Sequence, residues 1–487
     1  MGCAAGSAKA KEVIKQPIVT PAPTSSVTKG KVALLCTKAT LLQVAAGGIS
    51  KDYEVKETLS YSPYMQVRKV VHIPSGETRV VKIIDKSSLL PTAMTSGRAL
   101  REVEVLKRLE SPSIVRLFEV FEDKFRFYLI EEAFQGQDFL QFVSESGNLV
   151  RNHLKSVIKQ LLASISYIHT QGIVLTTLHF SGISLLSVPE GVLIKLTDFQ
   201  SAVFTEEIGK IAFPKGNSLY SAPETATGRW GPEADLWSCG LVLHTLLFGS
   251  PPRFQSPGNG LILGNTGELE EGLREMLLGL LETAVGGRWT AARALGCPWM
   301  ADSASVFAVS EPRLQETMQE MKTFRSAYKL KDAIFTFLSF HVLSNTDSQC
   351  LQEVFLSLDT NGDSKVSREE LLRYFQTHCI GANPMHEVAD LLSQVDVDGS
   401  GFIDYSEFMR ASMNRRKYAS QEYLQVAFRR FDVDGCGKIS AKDLETVLGS
   451  GNEETEAFVH AIIAEADFNK DGEIDFTEFM TVALRKF

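Results

Sequence analysis

The chain is 487 residues long, 44% apolar and 22% charged, with a net charge of −9. That length admits two or three domains, and the apolar share excludes wholesale disorder. The charge is uneven: residues 346–487 hold 26 acidic and 14 basic residues, leaving the remainder slightly positive. An acidic module beside a near-neutral one argues against nucleic acid as a partner and for bound cations. Seven cysteines at scattered positions, with no CxxC pair, read as a reduced, cytoplasmic protein without a disulfide framework or zinc site. No apolar run reaches the ~18–20 residues of a membrane span, and no signal peptide is expected.

Residues 1–50, rich in Ala, Thr, Pro, Lys and Gly, read as a flexible leader. It opens Met1-Gly2-Cys3. Gly2 is a candidate for myristoylation, although Gly6 stands where Ser or Thr is preferred and Ser7 falls one place late. Cys3 offers a palmitoyl site, the second anchor that stable membrane contact needs. Acylation with membrane association and an ordinary tail are both open at this point.

From Tyr53 to about Leu140, short β-type runs (Arg79–Ile84, Phe125–Ile130) flank one helix, Ser96–Leu109. Val80-Val81-Lys82 lies in the first run and Glu102 on the helix. Helical periodicity dominates from Arg151 to Met300, a stretch that holds Asp198-Phe199, Ala222-Pro223-Glu224, Asp235-Leu236-Trp237-Ser238-Cys239-Gly240 and Arg288. A small β-rich lobe followed by a larger helical one is α+β in class. Residues 302–345 predict a basic amphipathic helix: Leu314, Met318, Met321, Phe324 and Tyr328 recur at three- and four-residue steps, with Lys322, Arg325, Lys329 and Lys331 beside them. Such a helix suits an apolar groove in a partner domain.

Residues 346–487 repeat with a period near 36. Twelve-residue windows starting at Asp359, Asp396, Asp432 and Asp467 fit the EF-hand loop, which supplies oxygen ligands at positions 1, 3, 5, 7, 9 and 12. The first offers Asp359, Asn361, Asp363, the Lys365 carbonyl and Glu370, with Ser364 where the turn prefers glycine. The second offers Asp396, Asp398, Ser400, the Phe402 carbonyl, Asp404 and Glu407. The third has Asp432, Asp434, the Lys438 carbonyl and a short closing Asp443, but Cys436 presents soft sulfur to a hard cation, so this loop is expected to be weak or magnesium-preferring. The fourth has Asp467, Asn469, Asp471, the Glu473 carbonyl, Asp475 and Glu478. Val366, Ile403, Ile439 and Ile474 at position 8 predict short β-bridges between paired loops.

Taken in order, these fragments resemble the calcium-dependent protein kinases: a kinase domain (53–300), a junction helix (302–345) and a calmodulin-like domain of two EF-hand pairs (346–487). The resemblance implies a two-lobed kinase fold followed by an all-α domain, with calcium as ligand and the chain's own junction helix as an internal partner. It also implies that Lys82, Glu102 and Asp198 handle ATP and magnesium. The departures fall where chemistry happens. The catalytic aspartate aligns with Thr177, the second-metal asparagine with Gly182 and the loop lysine with His179. Leu59–Val67 has no glycine to bring backbone amides to phosphate, Gln200 replaces a glycine, and Glu131 stands at the gatekeeper position. Thr205, before Glu206 and Glu207, reads as a solvated loop because Thr176 replaces the arginine that would receive a phosphate. The expectation is a calcium-responsive pseudokinase that acts as scaffold or allosteric partner of another protein. An active serine/threonine kinase with atypical residues, and a plain calcium buffer, are the alternatives.

Overall fold

A computed structural model of the chain describes residues 42, 44–62, 65–86, 96–145, 153–176, 178–189, 191–209, 221–228, 230–254, 261–301, 309–324, 329–378, 383–448 and 453–485. The expectations for Gly2, Cys3, Thr177, Arg325 and Tyr328 lie outside those residues.

The small lobe is a six-stranded sheet built from β1 (Val44–Ala46), β2 (Tyr53–Tyr61), β3 (Met65–His72), β4 (Thr78–Asp85), β5 (Leu117–Glu122) and β6 (Arg126–Glu132). The strand order is β1-β5-β6-β4-β3-β2, which puts β4 inside the sheet. Every pairing is antiparallel except β1 with β5. β-Branched residues dominate β4, and the pleat sends Arg79, Val81 and Ile83 to one face and Val80, Lys82 and Ile84 to the other. Helix α1 (Ser96–Arg108) buries Val103 and Leu106 in the same core.

The large lobe turns on α2 (Leu154–Thr170) and α3 (Glu233–Phe248). Residues 234–246 of α3 are all buried, as expected of a helix that is apolar around its whole circumference. The helix ends at Gly249, whose φ of 75° provides the left-handed cap.

Residues 302–345, read from sequence as one helix, contain two helices: α4 (Glu311–Lys322) and α5 (Lys329–Phe337). A π turn, Leu338–Val342, continues α5. Leu314, Met318, Met321, Phe324 and Leu330 share a core with Phe355, Phe375, Phe408, Phe431 and Phe479 of the EF-hand helices. The junction therefore sits in the EF-hand module rather than on the large lobe. Ion pairs reinforce the fit, Arg313 with Glu353 at 2.6 Å and Arg415 with Glu320 at 3.1 Å.

The π turn carries the contact with the small lobe. Widening the turn leaves carbonyls without their usual helical partners. That of His341 accepts from Arg79 Nη2, and that of Ser339 from Arg116 Nη1 at 3.2 Å. Arg79 is 2% exposed, donates to the Tyr53 hydroxyl at 2.5 Å, lies 3.6 Å from Glu119 and covers the Phe118 ring at 4.2 Å. Farther along, Asn345 Nδ2 donates to the Thr78 carbonyl at 3.0 Å, Gln352 Nε2 to that of Pro112 at 2.8 Å, and Lys159 to that of Thr360 at 2.8 Å.

Removing one partner from such a buried network leaves the others unsatisfied. Arg79→Met is expected to cost about 3 kcal/mol and to split urea unfolding into two transitions, with the EF-hand module and small lobe no longer melting together. Circular dichroism at 222 nm beside tryptophan fluorescence from the large lobe reads the split.

Candidate nucleotide cleft and calcium loops

Lys82 projects from β4 into the cleft between the lobes. Its ammonium donates to Glu102 Oε1 on α1 at 2.8 Å and to the Thr197 carbonyl at 2.8 Å. Glu131 on β6 stands opposite Val80 in register, so its side chain shares the face of Lys82. Glu131 Oε1 lies 2.9 Å from Lys82 Nζ, an ion-pair distance without the alignment of a hydrogen bond. All three groups are buried, at 6%, 0% and 3% exposure for Lys82, Glu102 and Glu131.

One cation thus faces two carboxylates out of water, with Asp198 adding to the negative field. Burial pushes Glu131 up to about 7 and Glu102 upward as well. Burial opposes the charge on Lys82, but Glu102 and Glu131 together hold its ammonium well above the ordinary range. Burial thus favours a proton on the carboxyl side of the cluster.

The floor of the cleft has closed around Asp198. A Cβ added to Gly182 would meet Asp198 Cβ at 2.9 Å, so an asparagine does not fit there without a backbone shift. Asp198 Oδ1 accepts the Gln200 N–H at 3.1 Å, and Gln200 Nε2 reaches Met65 Sδ across the cleft at 3.2 Å. Thr176 adopts φ 67°, a left-handed conformation that is uncommon and strained for a β-branched residue. Two contacts hold the loop in that shape: Thr176 Oγ1 donates to the Ser201 carbonyl at 3.0 Å, and Asp235 Oδ2 of α3 accepts the Leu175 N–H at 2.9 Å.

The large-lobe lock is intact, with Arg288 gripping Glu224 at 2.6 and 2.9 Å and also donating to the Glu233 carbonyl. Leu106, Leu175 and Phe199 share one buried core. Thr205 opens a short 3-10 turn whose Glu207 pairs with Arg101 of α1 at 2.9 Å, an ion pair not foreseen from sequence.

In each calcium loop the first aspartate accepts the backbone N–H groups of positions 5 and 6, as Asp396 does from Ser400 and Gly401 at 3.0 and 2.8 Å. Position 6 is left-handed throughout: Ser364 at φ 63°, Gly401 at 85°, Gly437 at 91° and Gly472 at 89°. Ser364 holds the same turn as the glycines at a cost of about 1 kcal/mol. Val366 pairs with Ile403 and Ile439 with Ile474, forming the two β-bridges. The closing glutamates reach back across their loops: Glu370 Oε1 accepts from Thr360 and Asn361, and Glu478 Oε1 from Phe468 and Asn469. Asp443 takes the N–H and hydroxyl of the nearby Ser440.

Ligand atoms of Asp396, Asp398 and Glu407 lie within 4.8 Å of one another, and so do those of Asp432, Asp434 and Cys436. Oxygen-rich clusters of that size fit a hard dication. In the third loop, though, the Cys436 thiol points at the Lys438 carbonyl, 3.3 Å away. Lys438 Nζ crosses to Asp471 of the fourth loop at 2.7 Å, another pair absent from the sequence reading. The first loop lies against the kinase domain: Asp359 is 4% exposed, and Ser364 Oγ is 3.1 Å from Ser111 Oγ. Burial, with Asp363 and Glu370 beside it, pushes Asp359 up to about 8, a repulsion that a bound cation relieves.

The Lys82 cluster predicts a pH signature. Glu131 titrates near 7 when folded and near 4.5 when unfolded, so between those values the native state binds more protons and stability falls as pH rises. Glu131→Gln is expected to melt like the parent near pH 5 and above it from pH 7 upward, in thermal melts across pH 5–8.

Comparison with known proteins agrees with this geometry. The protein kinase domain family matches residues 53–300, and EF-hand domain pairs match residues 349–413 and 421–484. The chain is 29% identical over 435 residues to calcium-dependent protein kinase 4 of Plasmodium berghei, spanning 84% of this chain and 82% of that one. It is 28% identical over 446 residues to calcium-dependent protein kinase 19 of Arabidopsis thaliana, spanning 88% and 80%. A matched kinase domain, matched EF-hand pairs and relatives that align across both lead to one assignment: the chain belongs to the calcium-dependent protein kinase family.

Proposed function

We propose that this chain is a calcium-responsive pseudokinase, in which the EF-hand module changes the surface that a catalytically silent kinase domain presents to a partner protein. The observation that carries this reading is the Glu131 carboxylate 2.9 Å from Lys82. A nucleotide needs that ammonium for its phosphates, and here it is already surrounded by Glu102, Glu131 and the Thr197 carbonyl. A triphosphate entering the cleft would meet an added buried carboxylate.

The remaining donors do not fit a magnesium nucleotide. Among the described residues Asp198 belongs to no cluster of three metal-ligating groups, and Gly182 has no side chain to give, its backbone approaching too closely for one. The Gln200–Met65 contact spans the space that a phosphate tail would cross. Thr177 at the base position has a hydroxyl that cannot accept a proton near neutral pH. The retained Lys82–Glu102 and Arg288–Glu224 pairs then serve the fold, fixing α1 and the activation segment.

The active-kinase reading has one observation in its favour, the intact Lys82–Glu102 pair at 2.8 Å. Calcium binding at the four loops is common to both readings. Membrane contact through acylation of Gly2 and Cys3 would add a location to either.

A phosphotransfer assay with radiolabelled ATP and magnesium, with calcium or chelator, separates the two. The expected outcome is incorporation no higher than in a Lys82→Met control under either condition. Calcium-stimulated incorporation that Lys82→Met abolishes would overturn the pseudokinase reading.

A further inference from the structure

Two EF-hand pairs imply four calcium loops, and the third departs from that pattern at its closing end. In the other three, the final glutamate reaches back across the loop to accept backbone N–H groups: Glu370 from Thr360 and Asn361, Glu407 from Val397, and Glu478 from Phe468 and Asn469. Asp443 makes no such contact among the described residues and accepts only from the N–H and hydroxyl of Ser440. The converging groups differ in the same way. In the second loop they are Asp396, Asp398 and the closing Glu407, whereas in the third they are Asp432, Asp434 and Cys436, without Asp443.

Calcium takes about six to eight oxygen ligands, with the closing glutamate supplying two. The third loop lacks that closure and puts sulfur at position 5, so it is poor in the hard ligands that calcium and magnesium need. What remains is a small mixed set: the Asp432 and Asp434 carboxylates, the Cys436 sulfur and the Lys438 carbonyl. Thiolate selects zinc-class ions over calcium or magnesium, and four ligands are what tetrahedral zinc takes. The spacing agrees. Cys436 Sγ stands 3.3 Å from the Lys438 carbonyl oxygen, near the ~3.6 Å that separates a sulfur and an oxygen held by one tetrahedral zinc at ~2.3 and ~2.1 Å. Cys436 is exposed, so an ion reaches it directly from solvent.

We propose that the third loop is a site for a borderline-soft dication of the zinc class, held by Asp432, Asp434, the Cys436 thiolate and the Lys438 carbonyl, with calcium bound there only weakly. Binding forms a metal–sulfur bond and releases the thiol proton to solvent. The site is independent of whether the cleft transfers phosphate, so it stands or falls apart from the pseudokinase reading.

The probe is cobalt(II), whose bond to a thiolate gives a charge-transfer band in the near ultraviolet. It is titrated into the full, reduced chain with calcium and magnesium in excess, and zinc is then added to displace it. The expected result is one cobalt ion per chain with the band present, and loss of the band as zinc replaces cobalt. Cys436→Ser supplies the residue type that Ser400 supplies in the second loop, at an exposed position that leaves the fold intact. It is expected to abolish the band and to weaken zinc by at least ~10-fold, the loss that even an outer-shell change brings. Cys436→Ser combined with Asp443→Glu rebuilds an all-oxygen loop and is expected, by calorimetry, to gain a tight calcium site that the parent lacks. No band under excess calcium, or a band that survives Cys436→Ser, would overturn the proposal. So would a parent chain that already binds calcium in this loop as tightly as the double variant.

Discussion

Strand β4 carries two buried cations three residues apart on opposite faces, and the two halves of the molecule meet at that strand. Arg79 faces outward, where the Tyr53 hydroxyl and the His341 carbonyl close around it. Lys82 faces the cleft, where Glu102 and Glu131 close around it. Period-two alternation makes this inevitable once both residues sit in one strand. Anything that shifts the junction on Arg79 therefore acts on the strand that positions Lys82, with no longer pathway needed.

Under the proposed pseudokinase reading, the charge balance at Lys82 would let a kinase fold keep its marker ion pair without its chemistry. A buried lysine with one carboxylate is a neutral pair. A second carboxylate at Glu131 makes the cluster an anion unless a proton binds, and burial favours the proton. Such a cluster rigidifies the fold, since α1 remains tied to β4, yet it offers little to a phosphate. The same economy appears in the catalytic loop. Thr176 keeps a strained left-handed backbone, with Asp235 and Ser201 holding the loop from both sides.

What the sequence discloses depends on how local the determinant is. Calcium loops are written within twelve residues each, so the turn at Ser364 and the bridges at Val366–Ile403 and Ile439–Ile474 were legible. The Lys82–Glu102 and Glu224–Arg288 pairs were legible too, because ordered landmarks fix which residue stands at each position. Contacts between distant segments were not. Arg79 and His341 are 262 positions apart, and nothing near either one marks the other. The approach of Gly182 to Asp198 is a matter of backbone path, invisible in composition. The junction read as one helix because its apolar period runs on through Phe324. No proline or glycine announces the break, and nothing local marks the π turn at Leu338–Val342, whose carbonyls meet the small lobe at Arg79 and Arg116.

The central claim is that calcium acts on the kinase domain through the junction and β4. Hydrogen–deuterium exchange of the full chain, with calcium against chelator, tests it most directly. The account predicts that calcium alters exchange in Leu338–Asn345 and in Thr78–Asp85 as well as in the four loops. Changes confined to the EF-hand loops and their helices, with β4 and the π turn unmoved, would contradict it and reduce the EF-hand module to a passive calcium buffer.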